Sequence, residues 1–569
     1  MKNVVLIFLV LGFIACKTDK MGKQDTTLDI RIKSDPQKLN PMLSLGQVSR
    51  FVHQYIYLPL ADYHPETLKL YPILIEDIPV KTDISDTSYS YTFSFREGAE
   101  WHDKQPITAD DYLFTMKFMS LPLINSSSYS AYISNIDQVE KTTDKSATVI
   151  FHEPYIHALE ASINIPILPK HIYDPEDIFG SITLDEVRAY ANEDDLSPQL
   201  KALVEEYNGS KYTRDVLLNN GPYQLISWET DQNIVIKKVE DYWGTAYKDN
   251  PFLQQGPEEM IFYIIPDATS ALSMLKEGSI DVSNEIPTTD YAKIKENDVY
   301  QDSLSFHTTP MMRYYFLQLN NSHPVLKDVK VRRALNHLLD VDAIINSLEK
   351  GMATRLNVPV HPSKRYYDND TPLYKKDISK AKQLLKEAGW TDIDQDGDLD
   401  KRIDGKMMEC TIDMYITKAA LGRNIGLLLQ EACKEVGINM NLVTKEYKTI
   451  RDQHLMTRDY GIATAVTSLD LEDDDFYVLW HSDNDTATGR NRMSYNNPRI
   501  DELIEAIRST PDSEERERLY DEVQDIFYAD APGIFLYAPM EKLIINKRWN
   551  GNPTIKRPGY LGNTFQPRS

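Results

Sequence analysis

The sequence predicts a mixed α/β protein built from more than one structural unit. The chain has 569 residues, more than one hydrophobic core usually serves, so two to four units are expected. Residues 28–32 and 88–95 alternate apolar and polar side chains with a period of two, which predicts strands. A short helix with Leu272 and Leu275 turned inward stands before the strand-like residues 280–282. A strand–helix–strand order of this kind is typical of α/β architecture.

The first sixteen residues have the pattern of a secretory signal peptide. Lys2 gives a positive start, and residues 4–14 form an apolar run too short to span a bilayer as a permanent helix. The run ends at Ala15 and Cys16, which resembles the lipobox of bacterial lipoproteins. We therefore expect residues 1–16 to be a lipoprotein signal whose Cys16 is lipidated, followed by a polar tether over residues 17–27. A plain signal peptide with an incidental cysteine is the alternative.

Local signals place further elements along the chain. Thr108 is positioned to cap a helix that carries Asp110 and Asp111 in its first turn. Two more helices are predicted to begin at the caps Asp340 and Ser513. Further strands are predicted at residues 147–151, 314–320 and 534–537, and two or three surface helices within the acid-rich residues 174–218.

Composition and motifs exclude several function classes. Lys and Arg total 62 against 86 Asp and Glu, a formal charge of −24, and such a surface repels the phosphates of nucleic acid. Sequence patterns of serine hydrolases, phosphate-binding loops and zinc proteases are missing, so an enzyme is not expected. Cys410 and Cys433 are expected to be buried as small hydrophobes, with a disulfide as the alternative.

An aspartate-rich segment resembles the start of a calcium loop. Its alternating acids are Asp392, Asp394, Asp396, Asp398 and Asp400, with Gly397 at the sixth place. The twelfth place, where a bidentate glutamate belongs, is Ile403, and Asp404 comes one residue late. A structural turn is favoured over a Ca²⁺ site.

Characteristic residue patterns lie in segments 91–111, 167–171, 221–243, 265–282, 320–340 and 496–532. Together these segments are similar to family 5 extracellular solute-binding proteins, the dipeptide-, oligopeptide- and nickel-binding components of ABC importers. These segments occur in the family's order and cover nearly all of residues 28–545.

The resemblance implies a three-lobed periplasmic-binding-protein fold of type II, in the large peptide-binding class, with a hinge between lobes I and III. Lobe I is expected at residues 28–60, 171–315 and 535–569, lobe II at residues 61–170 and lobe III at residues 316–534. Closure of the hinge would enclose the ligand.

The implied function is that of a lipid-anchored binding component of an ABC importer that captures peptides. Its expected partners are a permease and an ATPase, and the chain is expected to be an exported monomer held at a bacterial membrane by its lipid. An oligosaccharide or a metal chelate as ligand, or a surface sensor without a transporter, are the alternatives.

A buried peptide ammonium needs a carboxylate, because an unpaired buried charge is very costly. The family meets this need with an aspartate in lobe III, and Asp470 stands at the matching position. The usual tryptophan and proline around it are absent, so Glu472 or Asp473 could hold the role instead. Ser44, Gln47 and Asn491 are further expected ligand-binding residues.

We predict that Cys16→Ala abolishes lipidation. The thiol is the only group at the end of the apolar run to which a diacylglycerol could be attached. Incorporation of radiolabelled palmitate measures the effect, with the wild-type chain as control. Persistent labelling of the variant would refute the lipoprotein assignment.

Overall fold

The computed structural model describes residues 26–568 apart from residues 41, 43–45, 86, 125–128, 130, 131, 191, 210, 211, 213, 215–217, 404 and 511. Cys16, Ser44 and Asp404 therefore lie outside the described residues. In the described part of the chain, no helix is both long and apolar enough to cross a membrane.

The strands, in chain order, are β1 (Thr27–Ile32), β2 (Ala61–Tyr63), β3 (Leu70–Pro72), β4 (Lys81–Asp83), β5 (Tyr89–Ser94), β6 (Gln138–Thr143), β7 (Ser146–Phe151), β8 (Tyr223–Glu229), β9 (Asn233–Lys238), β10 (Glu259–Ile264), β11 (Val282–Ser283), β12 (Leu304–Pro310), β13 (Arg313–Leu319), β14 (Ala353–Arg355), β15 (Asp400–Ile403), β16 (Lys406–Glu409), β17 (Thr411–Ile416), β18 (Asn439–Thr444), β19 (Ile462–Ser468), β20 (Gly533–Asn546), β21 (Trp549–Asn550) and β22 (Gln566–Pro567).

The α-helices are α1 (Gln47–His53), α2 (Ala109–Ser120), α3 (Ala158–Ile163), α4 (Lys170–Tyr173), α5 (Leu184–Ala189), α6 (Pro198–Asn208), α7 (Ala268–Glu277), α8 (Thr288–Lys295), α9 (Val329–Asn336), α10 (Val341–Leu348), α11 (Ile378–Glu387), α12 (Ala420–Glu435), α13 (Tyr447–Ile450), α14 (Tyr477–Trp480), α15 (Pro498–Ser509) and α16 (Ser513–Asp530). Shorter helical turns lie at Glu193–Asp195, Trp243–Ala246, Asp298–Tyr300, Arg451–Leu455, Ser482–Asn484 and Gly562–Thr564.

Helix ends with strong local signals lie where the sequence predicts them. Thr108 caps α2 in a capping box with Asp111, and Gly278 ends α7 at φ 70°, a left-handed conformation that suits glycine. The cap predicted at Ser513 is wrong by one residue. Asp512 caps α16 by accepting a hydrogen bond from the Glu515 amide at 2.8 Å, and Ser513 is the first helical residue.

The long strand β20 joins two halves of a mixed sheet. Among the described residues, twelve strands form this sheet, in the order β18-β17-β19-β13-β20-β11-β1-β10-β9-β8, with β12 and β14 also on β20. The first half of β20 pairs with β13 and β14, and the second half with β12 and β11. The sequence predicts only residues 534–537 of this strand, because Pro539 interrupts its apolar pattern.

Each half of the sheet is covered by helices. In the half that contains β13, Leu317 and Leu319 pack on one face with α9, α11 and α12, while Tyr314 and Phe316 pack on the other with α15 and α16. A separate four-stranded sheet, β4-β5-β7-β6, shares one continuous core with β1, β9 and β10. The strands are therefore apolar on both faces wherever helices cover both.

Two chain crossings connect the halves of the twelve-stranded sheet, and they lie side by side. Between β12 and β13, the Met311 amide donates a hydrogen bond of 3.1 Å to the Pro539 carbonyl in the middle of β20. The lobe boundaries expected at residues 316 and 535 fall a few residues inside β13 and β20. Adjacent crossings of this kind form a hinge about which two lobes can rotate.

Candidate ligand-binding cleft

A cleft of about 950 Å³ opens along β13 and β19. Its walls are formed by residues 464–468 of β19, by the segment 470–476 and by the segment 490–493. The first residues of α12 and the helix α13 complete them. His157, which precedes α3 in the expected lobe II, also lines the cleft. The volume lies in the range of small-molecule and peptide sites, about 300–1,000 Å³.

One edge of β19 is open along this cleft. On one side the strand pairs with β13 over its whole length. On the other side β17 pairs only with Ile462 and Ala463, so no described strand covers residues 464–468. An uncovered strand edge presents backbone N–H and C=O groups, to which an extended peptide can add as a further strand.

The C-terminal end of β19 leads into an acidic loop, residues 470–475, which holds five carboxylates in six residues. Lys364 holds this loop in place. Its ammonium lies 3.2 Å from the Asp474 carboxylate and donates to the backbone carbonyls of Asp470, at 2.9 Å, and Glu472. The Lys364 and Asp474 side chains are only 4% and 8% exposed, which makes this a buried ion pair with additional hydrogen bonds.

Arginines neutralise two more acids of the loop. Asp473 Oδ2 accepts from Arg365 at 2.9 Å and from Arg516 at 3.1 Å, and Asp475 lies 3.3 Å from the Arg508 Nε. Asp473, one of the alternatives to Asp470, is therefore already paired.

Asp470 differs from its neighbours, because it is exposed and lines the cleft. Only its backbone carbonyl is used, as an acceptor for Lys364. No cation of the described residues forms an ion pair with its carboxylate, so this oxygen pair is available to a ligand.

Glu472 takes part in a contact between the acidic loop and the expected lobe II. Tyr132 donates a hydrogen bond of 2.7 Å to its Oε1, and His157 Nδ1 lies 3.3 Å from its Oε2. Burial first, and then the charge of Glu160, raise the pKa of Glu472 to about 8. Burial also lowers the pKa of His157. At neutral pH the two groups therefore face each other largely uncharged.

Glu160, in helix α3, lies close to this contact. Its Oε1 accepts a hydrogen bond of 3.0 Å from Tyr63. Burial raises its pKa, although that hydrogen bond favours the charged form. Two carboxyl groups with raised pKa values, one on each side of the contact, resist ionisation together because their charges would repel.

Two other expected ligand-binding residues, Gln47 and Asn491, are not brought to the cleft. Gln47 begins α1 and lines no part of the cleft, and Ser44 lies outside the described residues. Asn491 is fully buried and donates to the carbonyls of His481 and Tyr495, at 3.2 and 2.8 Å. Its role is to fix the backbone, since its amide points away from the cleft while its two neighbours line it.

The aspartate-rich turn lies away from the cleft walls. It brings together carboxylate oxygens of Asp392, Asp394 and Asp400, all within 4.8 Å of one another. Asp396 and Asp398, also expected as calcium ligands, are not in this group. Asp396 instead accepts a hydrogen bond of 2.9 Å from the Asp398 amide, and Asp392 accepts from Gly397 at 3.2 Å. Internal hydrogen bonds of this type stabilise the turn itself.

Cys410 and Cys433 are free and buried, as the sequence predicts. Burial raises the pKa of Cys410 to about 12 and that of Cys433 still further. Both therefore behave as small apolar side chains in the core beside α12.

Comparison with known proteins agrees with this architecture. The family model described as "Bacterial extracellular solute-binding proteins, family 5 Middle" matches residues 69–489 of this chain. The oligopeptide-binding protein AppA of Bacillus subtilis is 26% identical over 569 residues, covering 96% of this chain and 94% of its own.

Two solved structures share the fold. That of Bacillus subtilis AppA in complex with a nonapeptide has a TM-score of 0.67 at 23% identity, covering 95% of this chain and 99% of its own. The structure of NikZ from Campylobacter jejuni in complex with Ni(L-His) has a TM-score of 0.68 at 24% identity. The match covers 93% of this chain and 95% of the NikZ chain.

Raising the pH from about 5 to about 8.5 should lower the melting temperature of the wild type more than that of Glu472→Gln. An ordinary glutamate has a pKa of about 4.3, whereas Glu472 has a pKa of about 8. Between these values the folded protein holds a proton that the unfolded chain has released. The resulting stabilisation is complete below this window and is lost as the pH rises through about 8.

Thermal melts across this pH range measure the difference in slope. Glu66→Gln is the matched control, because Glu66 is an exposed glutamate outside the cleft, and it should keep the wild-type slope. Equal slopes in wild type and Glu472→Gln would show that Glu472 does not hold the proton.

We expect removal of calcium to leave ligand affinity unchanged, because no residue of the aspartate-rich turn lines the cleft. Any effect of calcium should be confined to the melting temperature, through Asp392, Asp394 and Asp400. Melts and calorimetry with calcium and with chelator test this. A large loss of affinity on chelation would contradict it.

Proposed function

The chain belongs to family 5 of the bacterial extracellular solute-binding proteins, and from this membership we propose that it captures peptides for an ABC importer. Ligand capture by closure of two lobes requires no chemical step, so the protein acts by binding and not as an enzyme. A permease and an ATPase complete the importer. The protein is held at a bacterial membrane, on its periplasmic or cell-surface side, as a monomer with a lipid on Cys16.

The open edge of β19 carries the proposal for a peptide ligand. A peptide that adds to this edge gains main-chain hydrogen bonds that do not depend on its sequence. The cleft beside it is wide enough for varied side chains, and water can fill what a small side chain leaves. An oligosaccharide would gain little from a strand edge, because it has no backbone of alternating N–H and C=O groups.

A metal chelate is the second candidate ligand. Chelating groups are rich in carboxylates, and Arg490, Arg492 and His157 line the cleft. The structure of NikZ with Ni(L-His) has the same fold. The acidic loop favours a peptide over such a ligand, because an anionic chelate would be repelled by Asp470.

Asp470→Asn is expected to lower the affinity for peptides with a free N-terminus by at least about tenfold, or about 1.4 kcal/mol. A charge-assisted hydrogen bond contributes about this much, and a stranded ammonium costs more. N-acetylated peptides bring no charge and should be affected far less. Calorimetry with one peptide in both forms measures the contrast.

The control is Asp194→Asn, which removes an exposed aspartate far from the cleft and should bind as the wild type does. Equal losses for both peptide forms would assign Asp470 a structural role. If neither form loses affinity, Asp470 is not the ammonium partner, and Glu472→Gln is the next variant to test. The wild type is also tested against a diverse peptide pool and against nickel–histidine. If it binds nickel–histidine and no peptide, the proposed ligand is a chelate and not a peptide.

A further inference from the structure

Apart from the hinge, the two halves of the molecule also meet at the acidic loop. The sheet β4-β5-β7-β6 of the expected lobe II shares one core with β1, β9 and β10 of the expected lobe I. Tyr132 and His157 of the expected lobe II contact Glu472 of the expected lobe III. Ile156 adds an apolar contact, because it packs against the core to which α15 and α16 contribute. A rotation about the two crossings that separates the lobes would therefore break this contact.

The geometry of the contact suits a carboxyl group that carries a proton. Glu472 Oε1 accepts a hydrogen bond of 2.7 Å from the Tyr132 hydroxyl. Its Oε2 lies 3.3 Å from His157 Nδ1, a buried nitrogen that has no hydrogen-bond partner among the described residues. A protonated carboxyl group donates as well as accepts, and a neutral imidazole nitrogen can accept. A proton on Oε2 would therefore give Nδ1 the partner that it lacks.

No cation is placed to compensate a charge on Glu472. Its side chain is 17% exposed, and no lysine or arginine of the described residues forms an ion pair with it. Lys364 donates to the Glu472 carbonyl, but its ammonium is paired with the Asp474 carboxylate. Loss of the proton would leave a half-enclosed carboxylate without an ion-pair partner, which is costly.

The other charged and titratable groups around the contact do not change this balance. They are Tyr63, Tyr155, Glu160, Asp470, Asp473 and Asp475. Arg365 and Arg516 already pair with Asp473, and Arg508 pairs with Asp475. The acids that no arginine pairs with would repel a further negative charge in the contact.

We propose that Tyr132, His157 and Glu472 form a latch between the two lobes, which holds the cleft closed while Glu472 is protonated and opens when that proton passes to water. This inference rests on the proposed function, in which closure encloses the ligand, and adds a regulation of the same cleft by pH. A charged Glu472 breaks the latch because it cannot donate to His157 and is better solvated once the lobes separate.

The direction of the pH effect follows from the surroundings of Glu472 in the two forms. In the closed form, burial and the charge of Glu160 raise its pKa to about 8. In the open form the side chain faces water, where a glutamate has a pKa of about 4.3. Between these values the closed form holds a proton that the open form has released. The closed form is therefore favoured at low pH, and the ratio of closed to open molecules falls by up to about tenfold per pH unit until about pH 8.

Small-angle X-ray scattering of the ligand-free protein between pH 6 and pH 8.5 tests the latch. The radius of gyration should rise with pH as open molecules accumulate, and the ratio of closed to open molecules should fall by at least about tenfold. Glu66→Gln, at an exposed glutamate outside the cleft, is the control and should follow the wild type. An unchanged radius of gyration in the wild type would overturn the inference.

Two variants separate the latch from other effects of pH. In Glu472→Gln, the amide oxygen can accept from Tyr132 and the amide nitrogen can donate to His157, as the protonated carboxyl group does. This variant should stay closed over the whole range. Tyr132→Phe removes one hydrogen bond of the latch and should give a larger open fraction than the wild type at pH 6. If Glu472→Gln opens with pH as the wild type does, another group titrates and the latch is wrong.

The scattering measurement is independent of the proposed ligand, because no ligand is present. Binding of a diverse peptide pool to the wild type, measured separately, decides the proposed function. Absence of all peptide binding would defeat that function, whereas a radius of gyration that does not respond to pH would defeat only the latch.

Discussion

The ligand cleft depends on the neutralisation of the acidic loop. Five carboxylates within residues 470–475 would repel one another and keep the chain extended into water. The buried ammonium of Lys364 binds Asp474 and two loop carbonyls, and arginines take Asp473 and Asp475. Once these acids are paired, the loop can fold tightly, and Asp470 remains as a single accessible charge. A buried ion pair adds little net stability, but it can specify one conformation.

Strand β20 connects the half of the sheet that carries the acidic loop to the other half. It passes from the expected lobe III into the expected lobe I, and the neighbouring crossing at Met311 lies against Pro539. Pro539 has no N–H group to donate to the ladder, although it still pairs with Ala353 of β14. Near it, Glu349 accepts hydrogen bonds from Lys542 and Thr288, each at 3.0 Å. Under the proposed function, closure of the cleft would be a rotation about these two crossings.

Sequence patterns predicted the features that depend on neighbouring residues in the chain. The caps Thr108 and Asp340, the glycine that ends α7, and the strands of both sheet halves follow from local propensity and periodicity. Asn491 shows the limit of such inference. Its polarity suggested ligand contact, but tertiary packing turns the amide inward and turns its arginine neighbours outward. In the same way, the aspartate group contains Asp400, the first residue of β15, and neither Asp396 nor Asp398.

The cleft combines two features with different consequences for a ligand. The Asp470 carboxylate is exposed at the end of β19 and lines the cleft. A cationic group that becomes buried beside it would keep a partner, and an unpaired buried charge is very costly. Residues 464–468 of β19, in contrast, present backbone groups that no described strand covers. Main-chain hydrogen bonds to such groups are indifferent to side-chain identity. Under the proposed function, the charge would therefore fix one end of the ligand, while the strand edge would leave its sequence free.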